Sequence, residues 1–173
     1  MNDDIRKQIV NLQQFIANWN NKADSYKDCE YDLRAIFDEF ITRYIIFNVL
    51  YKICAEVYGK RGDRNSATKV VEKFLSEHHC SIMPEVRFYI SQLIDSISEG
   101  QLIIGIPEYS DKKLLTDLQN NDTLALLKCI YQLRCNLFHG DKEFIWRQEE
   151  LLAPATRCLE IINNSIYQTL IRL

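Results

Sequence analysis

Two residues of the 173-residue chain stand where charge and proton chemistry could be done together: Arg134 and His139, with four residues between them. They belong to the run Arg134-Cys135-Asn136-Leu137-Phe138-His139-Gly140, which holds one of only three histidines in the chain. A histidine of ordinary pKa, about 6.5, gives and takes protons at neutral pH. An arginine sends two parallel N–H bonds to a phosphate and neutralises charge that builds on it. Asn136 adds an amide that can orient either group or a phosphate oxygen. Without an obvious metal site, this set suits one reaction well: transesterification of RNA by its own 2′-hydroxyl. His139 would remove the 2′ proton or protonate the leaving 5′ oxygen. One histidine cannot easily do both, and a symmetric dimer would supply a second copy. The plain alternative is that Arg134 pairs with a carboxylate on a neighbouring helix and His139 caps its own.

The motif closes a helix whose inner face is Leu126, Ile130, Leu133 and Leu137. Gly140 is the expected stop, so His139 falls at the last turn or just beyond. The negative end of the helix dipole there favours the imidazolium, and Arg134 opposes it. Upstream, residues 30–58 form the longest periodic run, with Leu33, Phe37, Phe40, Tyr44, Phe47, Tyr51, Cys54 and Tyr58 on one face. A narrow polar stripe, Asn48, Lys52 and Glu56, argues against a membrane span and for a central helix buried on most sides. Arg34 with Asp38, and Glu39 with Arg43, read as supporting i,i+4 pairs. The apolar width of 44–58 exceeds what one bundle face needs, which points to an interface near the motif.

Around these two runs, helices are expected over 3–19, 66–78 (with Ser66 near the cap), from Pro84 to Gly100, over 112–119, and over 144–152. Asn20-Asn21 ends the first, and residues 101–111 break the helical pattern. Asn120-Asn121-Asp122 forms a turn and cap, and Pro154 breaks or kinks the pattern before a last stripe from Ala155 to Leu173. The expected architecture is a single all-α domain over 1–173, five or six helices bundled around 30–58. The loop Gly59-Lys60-Arg61-Gly62-Asp63-Arg64 carries three cations that could touch phosphates, Lys60, Arg61 and Arg64, without the spacing of a P-loop.

A formal net charge of −3 rules out a global basic field, so any RNA contact must be a local patch. The six cysteines form no C-x-x-C and read as reduced thiols used as small hydrophobes. His78-His79-Cys80 lacks a partner cluster with ligand spacing, and no Glu-x-x-His pair occurs. No metal or cofactor is expected. The acidic start, with no secretion signal, reads as cytoplasmic.

Arg134 and His139 match the R-x4-6-H motif of HEPN domains. The string Tyr131-Gln132-Leu133-Arg134-Cys135-Asn136-Leu137-Phe138-His139-Gly140-Asp141-Lys142 resembles the R-N-x-[LF]-F-H-G-x-K form of small prokaryotic members. Ile46-Phe47-Asn48-Val49-Leu50-Tyr51 resembles their A-F-N-x-L-Y phrase, and Arg147, Glu150, Leu151 and Leu152 match an R-x-x-E-L-L tail loosely. The resemblance covers roughly residues 30–170. It implies a HEPN-like helical bundle that forms a homodimer with its motifs facing each other. It also implies a metal-independent endoribonuclease that leaves a cyclic phosphate, acting in toxin–antitoxin pairs or phage defence beside an antitoxin or other defence protein. Arg134 would stabilise the phosphate, His139 would be the general acid/base, and Lys142 would join the RNA contacts. Where active members often have Asn directly after the arginine, this chain has Cys135, with Asn136 one place on. Other members are catalytically silent and use the bundle to bind RNA, a nucleotide or a protein.

Overall fold

Helix α2, Leu33–Val57, is the element the others lean on. It starts where the side chain of Asp32 accepts the backbone N–H of Arg34, and it buries Phe40, Tyr44, Phe47, Tyr51 and Cys54 along the expected stripe. The computed structural model describes residues 3–27, 32–98, 104–106, 109–138 and 149–173. Among these there are seven helices and no strand. Besides α2 they are α1 (Asp3–Asp24), α3, α4 (Met83–Ser98), α5 (Asp111–Gln119), α6 (Thr123–Phe138) and α7 (Glu149–Leu170). Helix α3 joins three segments end to end, Asp63–Asn65, Ser66–Val70 and Val71–Glu77, and its middle segment is a π-turn. α2 packs on α7, α1 and the π-turn of α3; α7 packs also on α4, and α6 on the π-turn and on α5. No helix among the described residues is long and apolar enough to cross a membrane.

Several elements fall where the periodicity places them. Val86, Ile90, Leu93 and Ile97 are the buried face of α4. Ser110 caps α5, and Asp122 caps α6 by accepting the N–H groups of Leu124 and Ala125 at 2.7 and 3.1 Å. Asn121 takes the left-handed conformation (φ 58°) in the turn between them.

Other expectations are corrected, each by a contact from a distant element. α1 does not stop at Asn20-Asn21 but runs to Asp24. Arg43 of α2 reaches it there, donating to Asn20 Oδ1 and Asp24 Oδ1, both at 2.6 Å. The Glu39/Arg43 pair is no surface ornament, because Arg43 is 1% exposed and Glu39 5%. Arg43 lies 3.3 Å from Glu160 and 3.7 Å from Glu39, while Arg157 bonds Glu39 at 2.8 Å and Glu160 at 2.9 Å. Lys27 closes the network on Asp24 and Glu160, at 3.0 and 3.1 Å, so α1, α2 and α7 share one ionic junction, buried at Arg43 and Glu39 and open to solvent at Asp24 and Lys27. Ser66 is not a cap: α3 begins earlier, at Asp63 after Gly62, and Ser66 is buried in the π-turn. At the C-terminal end, Leu173 is exposed rather than part of the inner stripe.

Pro154 lies inside α7 without ending it. A helical proline leaves the carbonyl four residues back without its N–H partner, here Glu150. The hydroxyl of Ser96 on α4 lies 3.2 Å from that carbonyl and 2.9 Å from the carbonyl of Gln92, sharing its proton between them. Ser96→Ala is therefore expected to lower stability by about 1 kcal/mol, roughly 2–4 °C in Tm, measurable by thermal unfolding. An unchanged Tm would mean that Glu150 finds other solvation.

Candidate active site around Arg134

α6 buries Leu126, Ile130 and Leu133, and Arg134 follows this stripe at the edge of the bundle, half-buried. Its guanidinium sits against two rings, 5.7 Å from the centroid of Tyr44 on α2 and 4.9 Å from that of Phe138 one turn on. Cys135 Sγ is 4.0 Å from Nη1. Among the described residues no carboxylate comes within ion-pair distance of Arg134, and its buried Nε has no hydrogen-bond partner. Burial works against its charge, but Cys135, Tyr44 and Asp63 outweigh that and leave the pKa raised. Arg134 is thus a fixed cation on aromatic faces, with N–H groups not committed to a protein anion.

Beside it lies a polar cluster drawn from three helices. Tyr44, Phe47 and Tyr51 step along α2 in edge-to-face contact, 5.6 and 5.3 Å between centroids. Asp63, the first residue of α3, accepts the phenol of Tyr51 on one oxygen and that of Tyr131 on α6 at 3.2 Å on the other. The Tyr44 hydroxyl and Asn48 Oδ1 are buried without a partner among the described residues. Burial pushes the Tyr44 and Tyr51 phenols far above their ordinary range, aided for Tyr51 by its bond to Asp63. Tyr131 is pushed up to about 12, by burial first and then by Cys135 and Asp63. All three phenols therefore stay protonated at neutral pH; they can donate hydrogen bonds but cannot act as bases.

The motif's other residues are distributed differently. Asn136 points about 200° round the helix from Arg134. Its amide donates to the carbonyl of Ile104 at 3.0 Å and accepts from Gln132 at 2.9 Å. It pins the buried Ile104 to α6 and is not brought to the arginine. His139 and Lys142 lie outside the described residues. Lys60 and Arg61 are exposed on a turn between two glycines of positive φ, Gly59 at 59° and Gly62 at 98°, and Arg64 is exposed in the first turn of α3. The sequence reading missed Tyr44, Asp63 and Tyr131 as site residues. The available signal was a tyrosine, not a phenylalanine, at positions 44, 51 and 131 of otherwise apolar faces.

Elsewhere, the His78 ring lies tilted against Phe74, 4.6 Å between centroids, and His79 follows α3 in the left-handed conformation. No group of three or more His, Cys, Asp or Glu side chains that could hold a metal occurs among the described residues. Cys54, Cys129 and Cys158 are buried, free thiols, and burial pushes Cys54 and Cys129 up to about 12. Compared with known proteins, the chain matches no family model, no curated protein and no solved structure.

Proposed function

We propose that the protein is a metal-independent endoribonuclease of the HEPN type, working as a homodimer in the cytoplasm. The observation that carries this reading is the state of Arg134: a permanent cation on two aromatic rings, half-buried at the edge of the bundle, with no carboxylate at ion-pair distance among the described residues. That favours an external anion over the structural ion pair that the sequence also allowed. In the reaction, the 2′ oxygen of a ribose attacks the adjacent phosphorus, the P–O5′ bond breaks, and a 2′,3′-cyclic phosphate remains. One His139 takes the 2′ proton, and the His139 of a second copy gives a proton to the departing 5′ oxygen. Arg134 neutralises the charge on the non-bridging oxygens. A toxin–antitoxin or phage-defence role, with a protein antitoxin as partner, goes with this reading through the resemblance alone.

A second reading has its own support. With Cys135 after Arg134 and the Asn136 amide occupied by Ile104 and Gln132, the motif lacks the free amide of many active members. The protein would then be a silent HEPN bundle that binds RNA, a nucleotide or a protein. The chemistry of the RNA ends decides between them. Cleaved RNA should carry 2′,3′-cyclic phosphate and 5′-hydroxyl termini; 5′-phosphate termini would rule out 2′-hydroxyl attack, and intact RNA would favour the binding module.

A further inference from the structure

Next to the Arg134 cluster, where the first turns of α3 meet α6, lies a groove of about 370 Å³. Besides Ile106 it is lined by Arg64, Asn65, Thr68, Lys69, Tyr109 and Lys128. That volume is within the range of small-ligand sites. Three of these side chains are cations, and none has a carboxylate within ion-pair distance among the described residues. Lys128 lies 4.5 Å from the centroid of the Tyr109 ring, whose phenol bonds Asp117 and so fixes the ring against the lysine. In a chain of net charge −3 this is a local concentration of positive charge in a concave site.

The backbone beneath it is unusual as well. Thr68 and Lys69 lie on the π-turn Ser66–Val70, and Thr68 Oγ1 donates to the carbonyl of Arg64 at 2.7 Å. A π-turn adds a residue to one turn of helix and changes where the following side chains point; such turns recur at functional sites. Residues of the groove neighbour residues of the Arg134 cluster along α3 and α6. Lys128 is one turn before Tyr131 on α6, and Tyr131 is bonded to Asp63, the neighbour of Arg64.

We propose that this groove binds backbone phosphate of single-stranded RNA and holds the stretch of strand next to the one presented to Arg134. The assignment of that strand as a cleavage substrate rests on the ribonuclease reading; the phosphate site does not. Lys69, Lys128 and Arg64 supply the charge, and the Asn65 amide supplies a neutral donor.

The test is fluorescence anisotropy of a labelled single-stranded RNA oligonucleotide over a salt series. It uses the wild type and a triple Arg64→Gln/Lys69→Gln/Lys128→Gln variant. A triple Lys7→Gln/Lys52→Gln/Arg87→Gln variant on α1, α2 and α4 carries the same change of net charge. Each phosphate contact contributes about 0.7 to the slope of log K against log salt for single strands, so the groove variant should lose about 2 units of slope. It should also bind at least about tenfold more weakly at low salt. The control variant should keep most of both. Equal behaviour of the two variants, with both folded by circular dichroism, would overturn the inference. ATP is run as a second probe. A groove variant that loses ATP but keeps RNA would assign the site to a free nucleotide and also overturn it. Groove-dependent binding without cleavage would leave the groove standing and remove the ribonuclease reading. Cleavage unaffected in the groove variant, with unchanged salt dependence, would do the reverse.

Discussion

Arg134→Ala is expected to lower RNA cleavage by about 10²- to 10³-fold while leaving the protein folded. The size follows from removing one preorganised donor from a developing oxyanion. The selectivity follows from the surroundings. Arg134 packs on Tyr44 and Phe138 and is half-buried, so truncation forfeits ring contacts worth about 0.5–2 kcal/mol. That is a fall of roughly 1–8 °C in Tm. Arg134→Lys separates charge from shape: it keeps a cation but loses the planar fork and the flat contact with the Tyr44 ring, so its activity should lie between wild type and the alanine variant. Rates with matched RNA and thermal unfolding of the same preparations check this. A large loss of Tm with no specific effect on cleavage would make Arg134 a structural residue.

Arg43→Ala should have the largest effect on stability, about 3 kcal/mol or more. Breaking a buried ion pair from one side costs about 3–5 kcal/mol, because the remaining charge stays buried. Here Arg157 still holds Glu39, which favours the lower end, but Asn20, Asp24 and Glu160 lose a partner together. The shift should be roughly 6–12 °C in Tm. Arg43→Met combined with Glu39→Leu should recover part of it, as replacing a buried pair with apolar groups of similar size is often neutral.

The same junction sets a pH dependence. Burial alone would raise the Glu160 and Asp24 carboxyls. The bonds and charges of Lys27, Arg43 and, for Glu160, Arg157 overcome this and hold both below their ordinary values. Carboxyls depressed by folding stabilise the native state above their unfolded pKa values, near 4, and lose that contribution as pH falls through the folded values. Wild-type stability should therefore drop as pH falls below about 4.5, and the Arg43→Ala protein should show a shallower acid slope over the same window. Equal slopes in denaturant titrations would contradict a coupled junction.

How much of this was legible in the chain depends on how far apart the partners lie. The stripe of α2, the cap at Asp122 and the inner face of α4 are local patterns, repeated every turn or confined to a few residues, and they read directly. The passage of α7 through Pro154 did not, because the hydroxyl meeting the freed carbonyl comes from Ser96, on another helix. Glu39 and Arg43 read only as an i,i+4 pair because spacing reports proximity along one helix and says nothing of Glu160, 117 residues beyond Arg43. At the site, Arg134 was visible as a cation near a histidine. The tyrosines around it looked like ordinary core residues until Asp63 joined Tyr51 and Tyr131, which lie 12 and 68 residues away from it. Asn136 shows the limit from the other side, since adjacency in sequence suggested a shared site and helical rotation turns it to Ile104.

The most direct test of the central claim is incubation of the purified protein with total RNA in excess EDTA, beside His139→Ala at matched concentration. Cleavage by the wild type, abolished in the variant while both remain folded and equally dimeric, is the predicted result. It would establish metal-independent chemistry that needs His139. Equal cleavage by both proteins, or none by either, would contradict the account; the second outcome would favour a bundle that binds RNA without cutting it.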